Sequence, residues 1–215
     1  LDKIQNLNDV NNWIKSNNFD CIIHLAAIVP TEIVKKNKHK ANLVNFKGTK
    51  NLVNAINSFS RKKVWFFYSS TSHIYKPQKN FLSEKSKKKP MTYYGQTKLK
   101  SENYILSNKK NISPCIGRIF SFTSNKQNSN FLIPSIIKKL KSKNKKIFFE
   151  NLNHERDFLP VEDIVSAIIK LLYKKYEGII NICSNRSTNL TDILFALNDK
   201  YKKEIYLKEN KNKTY

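Results

Sequence analysis

Short apolar runs of strand-forming residues, alternating with longer helical patterns, constrain the fold of this chain more than any other feature. The runs lie at about residues 20–25, 63–69, 114–119 and 179–183. Between and after them, the spacing of apolar residues predicts helices over about 8–18, 40–58, 93–108, 161–173 and 189–201. Val64-Trp65-Phe66-Phe67-Tyr68 is apolar throughout, as expected of a strand buried on both faces of a parallel sheet. Strands that alternate with helices imply βαβ units. The expected fold class is therefore α/β, a Rossmann-like doubly wound parallel sheet with a small α/β lobe. The alternation loosens after Arg118. Asn130-Phe131-Leu132-Ile133-Pro134 opens a further helix, and strand-like runs at 146–149 and 204–207 belong to the second part of the chain. This predicts a partial dinucleotide-binding domain over 1–120. The remainder, 121–215, is mainly a substrate lobe interleaved with late elements of the first. Phe131 and Phe148 read as core residues, with base stacking as the alternative.

Candidate chemistry sits where the buried strand ends. Val64–Tyr68 runs into Ser69-Ser70-Thr71-Ser72, and ligands of open α/β sheets bind outside the carboxyl ends of the strands. A turn or cap is the other reading of such hydroxyls. The first strand ends in Ala26-Ala27, small residues past which a flat ligand can approach the backbone. His24, inside an apolar run, reads as a hydrogen-bonded core histidine. Tyr94-Gly95-Gln96-Thr97-Lys98 places a phenol and an ammonium four residues apart, on one face of a helix. A nearby cation favours the phenolate, so the expectation is a Tyr94 made acidic enough for proton transfer near neutrality.

Six segments, in this order, resemble the extended short-chain dehydrogenase/reductase family, the NAD-dependent epimerase/dehydratases of nucleotide sugars. They are Asp20–Ala27 (DCIIHLAA), Asn45–Leu52 (NFKGTKNL), Ser69–Tyr75 (SSTSHIY), Tyr94–Glu102 (YGQTKLKSE), Arg156–Asp163 (RDFLPVED) and Gly178–Cys183 (GIINIC). The resemblance implies a catalytic set of Thr71, Tyr94 and Lys98. Tyr94 exchanges the proton of the sugar hydroxyl or ketone, Lys98 assists it and holds the nicotinamide ribose, and Thr71 hydrogen-bonds the reacting oxygen. It implies cofactor contacts at Ala26, Ala27, Asn45, Ser69, Ser70, Tyr94 and Lys98, and substrate contacts at Thr71, Asn130 and Arg156. The implied cofactor is NAD or NADP. The implied partner is a nucleotide sugar, and the whole protein is expected to be a cytoplasmic homodimer using the helices near 40–58 and 93–108. Ser72-His73 follows Thr71 where a dehydratase of the family has an Asp-Glu pair, which favours an epimerase or a 4-ketoreductase. Lys76 replaces the usual glycine after Tyr75.

The family's glycine-rich turn is absent: the four glycines, Gly48, Gly95, Gly117 and Gly178, form no such pattern. The chain starts at Leu1 and its one methionine is Met91. It therefore reads as a fragment lacking the first βαβ unit, or as a short variant that has lost cofactor binding.

Formal net charge is +24, from 40 Lys+Arg against 16 Asp+Glu. Only Arg61, Arg118, Arg156 and Arg186 are arginine, and the lysines are spread along the chain. This reads as solvated basic surface that steers anions, with no nucleic acid expected. A non-catalytic nucleotide- or RNA-binding protein on the same scaffold is the alternative. Cys21, Cys115 and Cys183 lie in apolar runs, as buried thiols of a reducing compartment do. No Cys/His spacing suggests a metal, and no apolar run is long enough to span a membrane.

Overall fold

The computed structural model describes residues 3–29, 31–78 and 80–209, and divides into two compact units. The first comprises residues up to Ile119 together with Ile164–Ile182; the second comprises Phe120–Asp163 and the chain from Cys183 onward.

The first unit begins with α1 (Leu7–Lys15), whose Asn6 side chain accepts from the Asn8 and Asp9 amides as an N-cap. Then come β1 (Cys21–His24), α2 (Thr31–Lys36), α3 (Lys38–Asn42), a π-helical turn (Leu43–Gly48) and α4 (Thr49–Phe59). Next are β2 (Val64–Thr71), a 3-10 turn (Ser72–Ile74), α5 (Tyr93–Ser107) and β3 (Ile112–Ile119). The expected helix over 40–58 is thus interrupted by a π turn, a local widening that often marks functional positions. Helix α2 has no counterpart among the elements read from the sequence.

The second unit holds β4 (Ser121–Thr123), α6 (Leu132–Leu140), β5 (Lys146–Glu150), β6 (Glu155–Arg156) and β7 (Phe158–Pro160). Helix α7 (Val161–Tyr173) follows and, with β8 (Gly178–Ile182), returns the chain to the first unit. Strand β9 (Thr188–Asn189), α8 (Leu190–Tyr201) and β10 (Glu204–Lys208) belong to the second unit.

The first unit's sheet has the order β1-β2-β3-β8, and every pair is parallel. Its core packs Val10 and Ile14 of α1, Leu52, Val53 and Ile56 of α4, and Ile105 of α5 against Phe66, Tyr68, Ile112 and Ile116 of the sheet. β2 and β3 pair along eight residues, from Val64↔Ile112 to Thr71↔Ile119. This register sets Ser70 directly beside Arg118.

In the second unit, Ile136 and Leu140 of α6 pack with Ile147 and Phe149 of β5 and with Leu190 and Leu194 of α8. Phe148 does not join this core. It is 64% exposed and stacks on Tyr206 of the parallel neighbour β10, with ring centroids 5.0 Å apart. Side chains alternate along a strand, so burying Ile147 and Phe149 turns Phe148 outward. Phe131 is partly buried. Cys115 is buried, whereas Cys21 and Cys183 are half-buried.

Candidate active site

Three successive residues at the end of β2 meet three positions one turn apart on α5. Residues 94, 98 and 102 recur every four positions and so share a face of the helix. The Thr71 hydroxyl faces the Tyr94 phenol, near enough to hold its pKa down. Lys98 Nζ donates to the Ser69 carbonyl at 2.6 Å. Ser70 Oγ donates to Glu102 Oε1. The helix reaches the strand end closely because residue 95 is glycine: a Cβ there would lie 2.4 Å from the His73 carbonyl oxygen. Thr92 caps the helix, its hydroxyl accepting from the Gly95 amide at 3.1 Å.

Tyr94 is partly exposed, while Lys98 is 2% exposed. The Lys98 ammonium lies 4.8 Å from the Tyr68 ring centroid and 5.9 Å from that of Tyr94. Burial pushes the Tyr94 phenol up to about 12, against the opposing hydrogen bond from Thr71. Burial also pushes Lys98 down to about 7, against the upward pull of the Glu102 carboxylate. The expected acidification of the phenol by its ammonium neighbour is therefore not what the protein alone provides. Desolvation outweighs the Thr71 hydroxyl at Tyr94 and the Glu102 charge at Lys98, and the ammonium is engaged by Ser69 rather than by the phenolic oxygen.

These values fix a pH dependence. A lysine in the unfolded chain titrates near about 10.4, so between pH about 7 and 10 the unfolded state binds more protons than the folded one. Stability contributed at Lys98 therefore rises with pH across that window. A Lys98→Met variant should melt higher than wild type at pH 7, with the gap closing towards pH 10. Thermal melts of both proteins across this range check it, and a gap that does not change with pH contradicts it.

Asn45, in the π turn, is buried at 1% exposure. Its Oδ1 accepts from the Ile28 amide at 2.7 Å and its Nδ2 donates to the Ile28 carbonyl at 3.2 Å. The Asn45 carbonyl accepts from the hydroxyls of Thr49 and Ser101. Asn45 thus clamps the segment that follows β1, where Ala26 is exposed and Ala27 half-buried. β1 and β2 are parallel with His24 beside Tyr68, so Ala26-Ala27, just past β1, and Ser69–Thr71, the last residues of β2, lie at the same edge of the sheet. His24 bonds Thr49 Oγ1 at 2.9 Å, and burial pushes its pKa down to about 3, a neutral core histidine as read from the sequence.

The structure brings Thr71, Tyr94, Lys98, Ser69 and Ser70 together. The side chains of Ser70 and Asn45 are engaged by Glu102 and by Ile28, which makes them supports of the site rather than exposed contacts. Asn130 and Arg156 belong to the second unit. Asn130 is exposed in a turn where its amide donates to Asn128 Oδ1 at 2.9 Å. Arg156 is half-buried in β6, opposite Thr188 of β9. Its neighbour Asp157 accepts from the amides of Ser184 and Arg186.

Glu102 and Arg118 had no role assigned from the sequence. Their side chains are 1% exposed and paired, Arg118 Nη2 donating to Glu102 Oε2 at 2.8 Å. The signal was present: a charged residue inside the apolar run of β3, and a carboxylate on the Tyr94/Lys98 face of α5. Among the described residues, no group of three or more His, Cys, Asp or Glu is placed to hold a metal ion. Nor, among them, is any helix long and apolar enough to cross a membrane.

A parallel sheet with helical crossovers, and hydroxyl, phenol and ammonium gathered at its carboxyl edge, define a dinucleotide-dependent α/β enzyme class. Residues 3–183 match the model of the NAD dependent epimerase/dehydratase family, and the chain belongs to that family. It is 31% identical over 193 residues to the GDP-6-deoxy-D-talose 4-dehydrogenase of Aggregatibacter actinomycetemcomitans, covering 89% of this chain. The chain spans 65% of the length of that relative. Among solved structures, RMD from Pseudomonas aeruginosa complexed with NADPH superposes with a TM-score of 0.89 at 20% identity, over 99% of this chain and 75% of the other. A UDP-glucuronic acid 4-epimerase from Bacillus cereus, in complex with UDP-glucuronic acid and NAD, gives 0.81 at 25% identity, over 94% and 66%.

Proposed function

We propose that this chain carries the acid–base machinery of an NAD- or NADP-dependent enzyme acting at C4 of a nucleotide-linked sugar, as an epimerase or 4-ketoreductase. The observation that carries the reading is the convergence of Thr71 on Tyr94, one turn from a buried Lys98. When bound, a nicotinamide supplies or accepts hydride. The residues that fit such a group are Ala26 and Ala27, whose small side chains leave the backbone approachable, with Ser69, Tyr94 and Lys98 across the same sheet edge. Asn45 and Ser70 stand behind them.

Tyr94 exchanges the proton of the reacting sugar oxygen, and Thr71 holds that oxygen by a hydrogen bond. Lys98 supplies the positive charge that favours the phenolate. With its pKa near 7, a bound anionic nucleotide would raise it and charge the group. Asn130 and Arg156 are the proposed substrate contacts, the guanidinium suiting a diphosphate. The relative's printed activity makes a GDP-linked 6-deoxyhexose the first substrate to test. A homodimer through the helical stretch 40–58 and α5 completes the proposal.

The test mixes a full-length form that carries the glycine-rich turn with GDP-6-deoxy-D-talose and NAD+ or NADP+. Appearance of the reduced nicotinamide with the 4-keto sugar is the result expected of a 4-ketoreductase run in reverse, and formation of the C4 epimer with no net reduction is the result expected of an epimerase. Tight, steeply salt-dependent binding of single-stranded RNA with neither product would favour the non-catalytic alternative.

A further inference from the structure

We infer that Glu102, locked between Ser70 and Arg118, is the positioning residue that sets the register of α5 against the end of β2, and with it the placement of Thr71 and Lys98. The functional meaning of this inference rests on the acid–base role proposed above for those two residues. The geometry is independent of that role. Ser70 and Arg118 are direct neighbours across the β2–β3 pair, and both donate to the one carboxylate. Arg118 reaches it through Nε at 3.2 Å and Nη2 at 2.8 Å, the two-pronged geometry that fixes a carboxylate in orientation as well as position. Ser70 lies between Ser69, whose carbonyl holds Lys98, and Thr71, which holds Tyr94. A shift of the strand end along α5 would break both neighbouring contacts together, so a carboxylate holding the middle residue fixes both.

Arg118 extends the lock. Its Nη1 donates to Tyr75 Oη at 2.8 Å and to the Glu84 carbonyl at 2.9 Å. Tyr75 in turn donates to Asn181 Oδ1 at 2.6 Å, and the Asn181 amide donates to Glu84 Oε1 at 2.7 Å. The segment between β2 and α5 is thereby fastened to β3 and β8. The charged and titratable groups facing Lys98 are Glu102 and Tyr94 on its own helix, Tyr68 of β2 and His24 of β1.

The test is chemical labelling of two groups in Ser70→Ala and Glu102→Gln. Acetic anhydride reports access to Lys98, and N-ethylmaleimide reports access to Cys115, which is buried in the middle of β3; peptide mass spectrometry locates each label. Losing one buried hydrogen bond of the lock should raise the Lys98 labelling rate about tenfold, with Cys115 labelling unchanged. Ser70→Ala leaves every charge in place, so it decides the matter if Glu102→Gln does not fold or if its lost charge alters amine reactivity. An unchanged Lys98 rate in Ser70→Ala overturns the inference. So does a parallel rise at Cys115, which would make the pair a general stabiliser with no local role. The labels need neither nucleotide nor sugar. This test therefore stands or fails separately from the turnover assay of Tyr94.

Discussion

Replacing Tyr94 with phenylalanine is expected to lower turnover by about 10²–10⁴-fold, the range that a positioned acid–base group contributes, while leaving nucleotide-sugar affinity within about twofold of wild type. The ring keeps its packing, because the partly exposed phenol sits at the edge of the site and its aromatic neighbour His73 meets it edge-on at 6.0 Å. Only the oxygen bonded by Thr71 is lost. Steady-state kinetics with GDP-6-deoxy-D-talose and the nicotinamide coenzyme separate the two parameters. Thr71→Val removes the same hydrogen bond from the other side and should show a smaller loss in the same parameter. A Tyr94→Phe variant that loses affinity but keeps its turnover would reassign the phenol to binding.

The second large effect is on stability. Arg118→Met leaves the Glu102 carboxylate buried without its cation. Breaking such a pair from one side costs about 3–5 kcal/mol, a large share of the 5–15 kcal/mol that holds a typical domain together. Urea unfolding should show a midpoint well below wild type. Replacing both partners, Glu102→Leu with Arg118→Met, should recover part of the loss, because no unpaired charge remains. A single variant within about 0.5 kcal/mol of wild type, the usual range for a surface change, would show that solvent reaches the pair.

The elements that carry the site were legible in the sequence because their signals are local. The apolar run Val64–Tyr68 ends where its hydroxyls begin, and β2 runs from Val64 to Thr71. Helix α5 occupies Tyr93–Ser107 against an expected 93–108, since the i, i+4 pattern marks it plainly. The four-residue spacing of Tyr94 and Lys98 placed them correctly on one face. The sign of their electrostatics was not legible, because desolvation depends on what the helix packs against and not on the helix itself. Glu102 and Arg118 escaped notice for a related reason. Their pairing is set by the register of β3 against β2, a relation between residues 70, 102 and 118 that no short window contains. The π turn at Leu43–Gly48 was also invisible, since Asn45 is drawn into it by the backbone of Ile28. Phe148 faces outward because its partners Ile147 and Phe149 fill the core beneath α6 and α8, a choice of face that alternation permits either way.

The most direct measurement is a structure of the protein with GDP-6-deoxy-D-talose and an oxidised nicotinamide coenzyme bound. The reacting sugar oxygen is expected within about 3 Å of both the Thr71 hydroxyl and the Tyr94 phenol. A sugar seated with that oxygen against neither group would contradict the assignment.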